Sequence, residues 1–352
     1  MQVGLLVSFQ NPDNRLSDYE FCRNEAQLAD LAEPLGYDSI WASEHHFTDY
    51  NMSPDALQFL SYMAGRTERA MLGSMVVLPW HDPVRTAEEF VMLDNLSGGR
   101  VIIGMERGVA QREHEGFRLN MAESRGRFIE SAPLLVNAVE KGYAEFYGKY
   151  VRQPKVEIRP APFRSFRGRT YAAALPPESS VVLGILGTGV LIIPQKPWHE
   201  VQAALATYRS AYREVNQGDS PAPVVTTFAY CDEDEERAAR MSRRYIGAYW
   251  ESVMQHYGLR DDHLRTTRGY EYYGDFIDDL NTYGEDSVQD FFISLRVVGT
   301  PEQCCRKVMD IQDYTGAGSL VAAFSYGGMP YAEAERSMRL FASEVMPELK
   351  KF

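Results

Sequence analysis

The sequence predicts a (β/α)8 barrel, and three observations lead to this prediction. Short apolar, β-prone segments alternate with helix-like segments along the 352 residues, a rhythm typical of parallel strands joined by helical crossovers. The strand count is eight, which is the number that closes such a barrel. No glycine-rich phosphate loop follows the first strand, where the sequence reads Ser8-Phe9-Gln10-Asn11-Pro12. The alternative fold, an open doubly wound sheet, usually has that loop. The predicted class is therefore an α/β TIM barrel with insertions after strands 4 and 7.

The predicted strands are short apolar runs that end in turn-forming or polar residues; they are residues 3–9, 39–43, 71–78, 100–105, 170–174, 190–193, 224–230 and 319–324. The predicted helices combine helical spacing of apolar residues with capping signals; they are residues 17–36, 54–66, 83–97, 122–141, 178–186, 198–214, 234–257, 301–314 and 331–349. Residues 143–169 and 258–298 interrupt the rhythm. We expect a rim insertion at 143–169 and a mobile active-site loop at 258–298, because irregular segments of this length often bind or cover ligands. Residues 1–352 are expected to form a single domain.

Net charge, the distribution of apolar residues and the cysteines limit the kinds of binding partner and the cellular location that the sequence predicts. The net charge of −13 argues against nucleic acid and anionic membranes, because both bind a basic surface. No segment approaches the roughly 20 apolar residues of a membrane span, and the apolar N-terminus lacks the basic flank of a signal peptide. The four cysteines, Cys22, Cys231, Cys304 and Cys305, fit no zinc spacing. A reduced, cytoplasmic protein is the expectation.

Candidate chemical groups lie where the predicted strands end, because barrel active sites are built from the loops after the strands. Sorting polar residues by this rule gathers Glu44, His45, His46, Trp80, His81, Glu106, Arg107, Glu178 and Ser179. His45 is the candidate for acid–base chemistry, since imidazole titrates near neutral pH. The alternative is that His45 or His46 only satisfies backbone groups. Adjacent histidines on a strand point to opposite faces, so we predict no metal site.

Arg107 and Ser179 are candidates for binding one phosphate group. A guanidinium suits a bidentate phosphate contact, and Gly108 beside it lets a ligand approach the backbone. Ser179 lies at the start of a predicted helix, whose free amide groups attract an anion. The alternatives are a salt bridge at the rim for Arg107 and an ordinary N-cap for Ser179.

Several motifs in the same order resemble the bacterial luciferase-like, flavin-dependent monooxygenase family. The resemblance extends over most of the chain and is strongest from residue 1 to about 130; it returns at Ala172 to Gly187 and at Gly299-Thr300-Pro301-Glu302. The motifs are Glu44-His45-His46-Phe47-Thr48, Val77-Leu78-Pro79, His81-Asp82-Pro83-Val84-Arg85, Leu93-Asp94-Asn95-Leu96-Ser97-Gly98-Gly99-Arg100 and Gly104-Met105-Glu106-Arg107-Gly108.

The resemblance implies a barrel that binds reduced FMN (FMNH2) at the carboxyl ends of its strands. It implies O2 as co-substrate and a C4a-(hydro)peroxyflavin that hydroxylates a small organic substrate or inserts oxygen into it. His45 then matches the active-site base, with Glu44 and Glu106 as further catalytic candidates. The Ser74–Met75 bond falls where the family often has a non-prolyl cis peptide. By motif position, the cofactor-binding residues are Ser74, Met75, Arg107, Val109, Arg125, Ala174, Glu178 and Ser179.

Two departures separate this chain from the luciferases. The luciferases have a cysteine at the position of Glu106. This chain also has an aliphatic residue, Val182, at a position where the family has a hydroxyl that contacts phosphate. Light emission and an aldehyde substrate are therefore not carried over. The chain has no G-x-G-x-x-G motif, so FMNH2 is expected from a separate NAD(P)H:flavin reductase. The resemblance also implies a homodimer. The alternatives are a deazaflavin-dependent oxidoreductase of the same fold and a flavin-binding protein without catalytic activity.

Overall fold

The computed structural model describes residues 1–173 and 177–351, with the side chains of all of these except Pro177 and Glu178. In chain order its strands are β1 (Gln2–Val7), β2 (Ser39–Ser43), β3 (Met71–Val77), β4 (Val101–Glu106), β5 (Tyr143–Tyr147), β6 (Arg152–Glu157), β7 (Thr170–Ala173), β8 (Gly189–Ile192), β9 (Val224–Cys231), β10 (Val297–Gly299) and β11 (Ser319–Ala323).

Eight parallel strands of the described residues close into a barrel, which confirms the predicted fold class. These strands, all except β5, β6 and β10, pair in chain order from β1 to β9, and β11 joins β9 to β1. The ring closes where Leu191 of β8 pairs with Val224 of β9 and where Ser319 of β11 pairs with Gln2 of β1. Each of the eight strands corresponds to one predicted from the sequence. Only their ends differ, by one or two residues, as expected where no capping signal fixes a boundary.

Helices fill the connections between these strands. In chain order they are α1 (Asp18–Asp30), α2 (Ala56–Ala64), α3 (Pro83–Leu96), α4 (Gln111–Gly116), α5 (Ser124–Lys141), α6 (Pro177–Leu186), α7 (Trp198–Val215), α8 (Glu235–Tyr257), α9 (His263–Thr266), α10 (Tyr273–Tyr283), α11 (Glu285–Ser294), α12 (Pro301–Thr315), α13 (Tyr331–Leu340) and α14 (Met346–Leu349). α1 and α12 begin with capping boxes, Ser17 with Glu20 and Thr300 with Gln303, which fix where each helix starts. Within the described ranges, none of the helices has both the length and the apolar character needed to cross a bilayer.

The two predicted insertions have more regular structure than their sequences indicated. Residues 143–157 form an antiparallel hairpin of β5 and β6, and the turn is held by Glu130 of α5, which accepts from the backbone amides of Lys149 and Tyr150 at 2.9 and 2.6 Å. Residues 258–298 contain α9, α10, α11 and the start of β10, which pairs with the carboxyl half of β9. The mobility of this second segment stays a prediction. α4 and β10 were not predicted, because six- and three-residue elements are too short to show periodicity.

One indole occupies the barrel interior beside three glycines. Trp41 of β2 is 1% exposed and donates a hydrogen bond from Nε1 to Ser39 Oγ at 3.0 Å. Gly4, Gly73 and Gly104 face this ring from β1, β3 and β4, and a Cβ on Gly73 would overlap its atoms. Protein interiors are close-packed. The ring of Trp41 therefore fits at this position only because the facing residues on the neighbouring strands are glycines without a side chain.

A methyl group at position 73 is therefore expected to destabilise the barrel. Gly73→Ala forces the Trp41 ring out of its position, and overpacking of this kind typically costs about 1–3 kcal/mol. The free energy of unfolding, measured by urea denaturation, should fall by that amount. Gly65→Ala is the control, because its Cβ would meet no atom nearer than 3.8 Å. Equal stabilities of the two variants would contradict this account of the interior.

Candidate active site

A cavity of about 530 Å³ opens at the carboxyl ends of the barrel strands. The lining includes residues from most of the barrel strands together with residues of α8, α10 and α11; among them are Leu6, Ser8, Ser43, His45, Met75, Glu106, Val109, Ile193, Thr226, Phe228, Tyr249, Tyr257, Tyr273, Phe292 and Arg296. A cavity of this volume is typical of small-molecule sites. His45, Met75, Glu106 and Val109 from the sequence prediction thus converge on one chamber.

His45 is held by one carboxylate and faces one phenol. Its Nδ1 lies 3.1 Å from Oε1 of Glu113, and its Nε2 lies 3.5 Å from the hydroxyl of Tyr257. Its backbone amide donates to the carbonyl of Ser53 at 3.1 Å, which fixes the turn after β2. A carboxylate on Nδ1 keeps that nitrogen protonated, so Nε2 is the atom that can give or take a proton in the cavity.

Glu113 of α4 joins His45 to a second histidine. The same oxygen, Oε1, accepts from the backbone amide of His46 at 2.8 Å and lies 3.4 Å from Nε2 of His256 on α8. The Nδ1 of His256 shares a 2.8 Å hydrogen bond with the hydroxyl of Thr48. The side chains of Glu113 and His256 are each 1% exposed. A buried carboxylate therefore connects the exit of β2, α4 and α8.

The proton equilibria of this cluster follow from its charges. Burial disfavours the charged form of His45, but the nearby carboxylates, above all Glu113, outweigh it and raise the pKa of His45. Burial likewise opposes the charged form of Glu113, yet His45 and His256 hold the pKa of Glu113 well below its usual range. For His256 burial dominates and lowers its pKa to about 4. The surroundings thus favour a His45–Glu113 ion pair beside a neutral His256.

Glu106, at the end of β4, lines the same chamber. Burial raises the pKa of this carboxyl to about 7, although the charge on His45 acts in the other direction. Both protonation states of Glu106 are therefore populated near neutral pH, which is the condition for acid–base work.

Glu44 does not line the cavity, unlike its neighbours Ser43 and His45. The carboxylate of Glu44 is 1% exposed and accepts from Trp80 Nε1 at 2.6 Å, His81 Nε2 at 2.8 Å and His46 Nε2 at 3.1 Å. Burial opposes its charge, but these donors lower the pKa of Glu44. The catalytic role predicted for Glu44 thus has no geometric basis, and we interpret it as a positioning residue.

A second, smaller cavity of about 90 Å³ adjoins the first and contains the predicted phosphate-binding residues. Its lining residues are Glu106, Arg107, Gly108, Val109, Arg125, Phe128, Ile129, Ala173, Ser179, Val182, Leu183, Ile193 and Tyr273. Nη1 of Arg107 and Nη2 of Arg125 both donate to the carbonyl oxygen of Gly269, at 2.7 and 3.2 Å. Two guanidinium groups that converge on one oxygen atom are a donor set suited to an oxyanion.

The remaining predicted residues have different outcomes. Ser74 is fully buried, and its hydroxyl accepts from the amide of Gly104 at 3.3 Å; it lines neither cavity described above.

The cis peptide expected between Ser74 and Met75 is wrong: the cis bond in the described residues joins Arg159 to Pro160. A trans bond lets both residues continue β3 and pair with β2, and avoids the cost of a non-prolyl cis form. Ala174 and the side chain of Glu178 lie outside the described residues.

Sequence reasoning did not find Glu113, His256 or Tyr257. His45, Glu113 and His256 are of metal-ligand type, and their ligand atoms lie within 4.8 Å of one another. Nδ1 of His45 is within hydrogen-bond distance of Oε1 of Glu113, at 3.1 Å. Nε2 of His256 lies 3.4 Å from the same oxygen but is without a hydrogen-bond partner among the described residues. Glu113 follows Arg107 by six positions and carries no motif. Its partner on α8 is 143 residues further along, a separation that no local pattern reveals.

Removing the charge of Glu113 should lower the pKa of His45. In Glu113→Gln the ion pair is lost while burial of the ring remains, so the midpoint is expected to fall from above to below the ordinary value of about 6.5. The measurement is an NMR titration of the imidazole resonances, assigned with His45→Asn. Glu115→Gln is the matched control, because Glu115 lies on the same helix and bonds the side chain of Gln111 at its surface. An unchanged midpoint in Glu113→Gln would refute the ion pair.

Comparison with known proteins gives a consistent relationship. A sequence profile described as luciferase-like monooxygenase matches residues 1–318. The chain is 27% identical over 362 aligned positions to the alkanal monooxygenase alpha chain of Photorhabdus luminescens, covering 100% of this chain and 98% of that one. It is 26% identical over 262 positions to the oxygenase component of the flavin-dependent trigonelline monooxygenase of Acinetobacter baylyi, covering 72% of each. Monooxygenase RslO1 from Streptomyces bottropensis superposes with a TM-score of 0.83 at 25% identity, over 99% of this chain and 100% of that chain. The chain belongs to the luciferase-like monooxygenase family.

Proposed function

We propose that this protein is the oxygenase component of a two-component monooxygenase. It would use FMNH2 and O2 to hydroxylate a small organic substrate or to insert oxygen into it. The observation that carries the proposal is the junction of two cavities: a chamber with a His45–Glu113 ion pair and an adjoining pocket with two guanidinium groups. A proton-transfer group thus lies beside a site for a phosphate-bearing cofactor.

The residues of the smaller cavity fit the phosphate of FMN. Arg107 and Arg125 supply guanidinium groups and Ser179 a hydroxyl near the start of α6, a donor set suited to a dianion. The carbonyl oxygen of Gly269 stands between the two guanidinium groups where a phosphate oxygen would lie. Met75, Val109, Ile193 and Tyr273 would border the flavin ring. Bound FMNH2 supplies the two electrons that let one oxygen atom of O2 enter the substrate while the other leaves as water.

His45 is proposed to transfer protons at Nε2, with Glu113 holding the ring. The charged pair can donate a proton into the cavity, and the neutral ring that remains accepts one there. Tyr257, 3.5 Å from Nε2, is placed to relay it. Glu106, where luciferases carry a cysteine, supplies a second titrating group near neutral pH. The aromatic walls limit access of water to both groups.

The electron source is proposed to be a separate NAD(P)H:flavin reductase. The trigonelline relative is named an oxygenase component, and such a component depends on a partner that reduces the flavin. The cytoplasm, where NAD(P)H is abundant, remains the predicted location.

Turnover by the reconstituted system tests the proposal. Purified protein, FMN, NADH and a flavin reductase would be supplied with 18O2 and a panel of small organic substrates. The expected product carries one 18O atom, detected by mass spectrometry. His45→Gln should lower the rate of product formation about 10²–10⁴-fold, the usual contribution of a general acid–base group.

Two controls make this result specific. His199→Gln, an exposed histidine on α7, should leave the rate unchanged. Titration of the protein with FMN and with a deazaflavin separates the two cofactor classes, since a deazaflavin oxidoreductase would not incorporate oxygen. Product without 18O, or turnover that requires the deazaflavin, would reject the proposal.

We also propose that the chain forms a homodimer through α2 and α3. Three large apolar side chains on these helices are exposed: Tyr62 by 50%, Met92 by 49% and Leu96 by 66%. The two helices are neighbours, exposed apolar surface often marks protein interfaces, and a two-fold axis would pair this surface with its copy.

Charges at this surface should therefore separate the subunits. Met92→Glu combined with Leu96→Glu is expected to convert a dimer to a monomer, since two like charges would meet their copies across the axis. Light scattering coupled to size-exclusion chromatography gives the mass. Met309→Glu on α12, which is 37% exposed, is the control and should remain dimeric. A monomeric wild-type protein would contradict the proposal.

A further inference from the structure

Arg296 is a buried cation without an anionic partner among the described side chains, those of residues 1–173 and 179–351. It precedes β10, and its side chain is among the largest fully enclosed ones, with 2% of the residue exposed. None of the ion pairs in that part of the chain includes it, and its Nε atom is buried without a hydrogen-bond partner. Charged groups are seldom buried unpaired, because removing them from water is costly. The position of Arg296 therefore requires an explanation beyond packing.

Aromatic rings compensate part of that cost. The guanidinium carbon of Arg296 lies 3.7 Å from the ring centre of Phe292 and 5.7 Å from that of Phe228. The electron-rich ring faces attract a cation, but they offer no acceptor for the N–H groups at the edge of the guanidinium plane. Burial lowers the pKa of Arg296 to about 10, so the group stays charged at neutral pH. A positive charge with unused donors is the result.

Arg296 is one of the residues that border the larger cavity. Acidic residues also border that cavity, namely Glu106, Glu200 and Asp279, yet none of them forms an ion pair with Arg296. The surfaces next to Arg296 are aromatic, from Phe228, Tyr249 and Phe292. A ligand that matches this end of the cavity has an apolar body and one anionic group.

We propose that Arg296 binds a carboxylate of the organic substrate, so that the protein oxidises apolar or aromatic carboxylic acids. The inference rests on the proposed function, because the ligand is the substrate of that oxygenation. The planar fork of a guanidinium forms two parallel hydrogen bonds with a carboxylate, and the ring stacked on its face leaves that edge open. The cofactor phosphate has its own site at Arg107 and Arg125, so the two anions do not compete.

The arrangement also orients the substrate. One aromatic wall connects Arg296 to His45: the rings of Phe228 and Tyr249 lie 4.1 Å apart, the hydroxyls of Tyr249 and Tyr50 share a 2.8 Å hydrogen bond, and the rings of Tyr50 and His45 lie 5.0 Å apart. A substrate held by its carboxylate at one end of this wall extends its apolar part toward the proton-transfer group at the other. Arg296 thus acts as a specificity-determining residue at a distance from the reacting atoms.

A purely structural role for Arg296 makes different predictions. If the guanidinium serves only to stack on Phe292, neutral and anionic ligands should bind equally, and replacing it should destabilise the protein. If it awaits an anion, the unliganded protein has an uncompensated charge. Arg296→Met, which keeps an unbranched side chain against the rings, should then have a urea midpoint no lower than that of the wild type.

Equilibrium titration of the flavin-free protein tests the proposal directly. The probes are two matched pairs, 2-naphthoate with 2-naphthamide and decanoate with decanamide, followed by calorimetry. The wild type is expected to bind at least one acid 10-fold or more tightly than its amide. Arg296→Met should lose this preference, and Arg296→Lys, which keeps the charge without the planar fork, should retain only part of it. Because no flavin, reductase or O2 is present, the outcome does not depend on the oxygenation assay.

Arg244→Met is the matched control. Arg244 also stacks on an aromatic ring, at 5.2 Å from the centre of Tyr245, but it is exposed on α8 and should not affect the preference. Equal affinity for acid and amide in the wild type, absence of binding by both acids, or an unchanged preference in Arg296→Met would each overturn the proposal.

Discussion

The buried carboxylate of Glu113 is the interaction on which the candidate site depends. It holds the imidazole of His45 and the backbone amide of His46, and it lies against His256 of α8. The ring of His45 has no other ion-pair partner among the described residues, so it would lose its orientation without Glu113. Glu113, on the six-residue helix α4, thereby keeps Nδ1 of His45 protonated. The same carboxylate connects α8 to this imidazole.

The charged residues in and around the cavity fall into two groups, those with several polar partners and those without. Glu44 has three donors. One oxygen of Glu113, Oε1, also contacts three nitrogen atoms, whereas Oε2 is buried without a hydrogen-bond partner among the described residues. A carboxylate oxygen so engaged stabilises its surroundings. Glu106, which is half-buried, and Arg296, which is buried, have no such partners among the described residues. A buried charge without a full set of partners destabilises the free protein. A ligand that supplies the missing partner offsets this free-energy cost. The residues that line the cavity without such partners are therefore those that we propose a ligand contacts.

Much of the fold could be predicted from the sequence, because the barrel strands are short, mostly apolar runs followed by helices, several of which begin with capping residues. His45, Glu106 and Arg107 could be located for the same reason, since each follows a strand. The cluster around His45 could not, because Glu113 and His256 belong to helices and come together only through the closure of the barrel. Arg296 lacked a signal of another kind. In sequence it is one arginine before a three-residue strand, and its lack of a partner is visible only once the surrounding rings are placed.

Alternation along β2 connects the packing of the barrel with its chemistry. Trp41 points inward and fills the space that Gly4, Gly73 and Gly104 leave open. Because successive side chains of a strand point to opposite faces, Ser43 continues this inward row toward the cavity, and His45 extends it just beyond the strand end. Glu44, between them, turns outward to Trp80 and His81. A shift of one residue in the pairing of β2 would exchange these roles and bury the wrong side chain against the glycines. The fit of one indole thus selects the register in which an imidazole, and not a carboxylate, reaches the chamber.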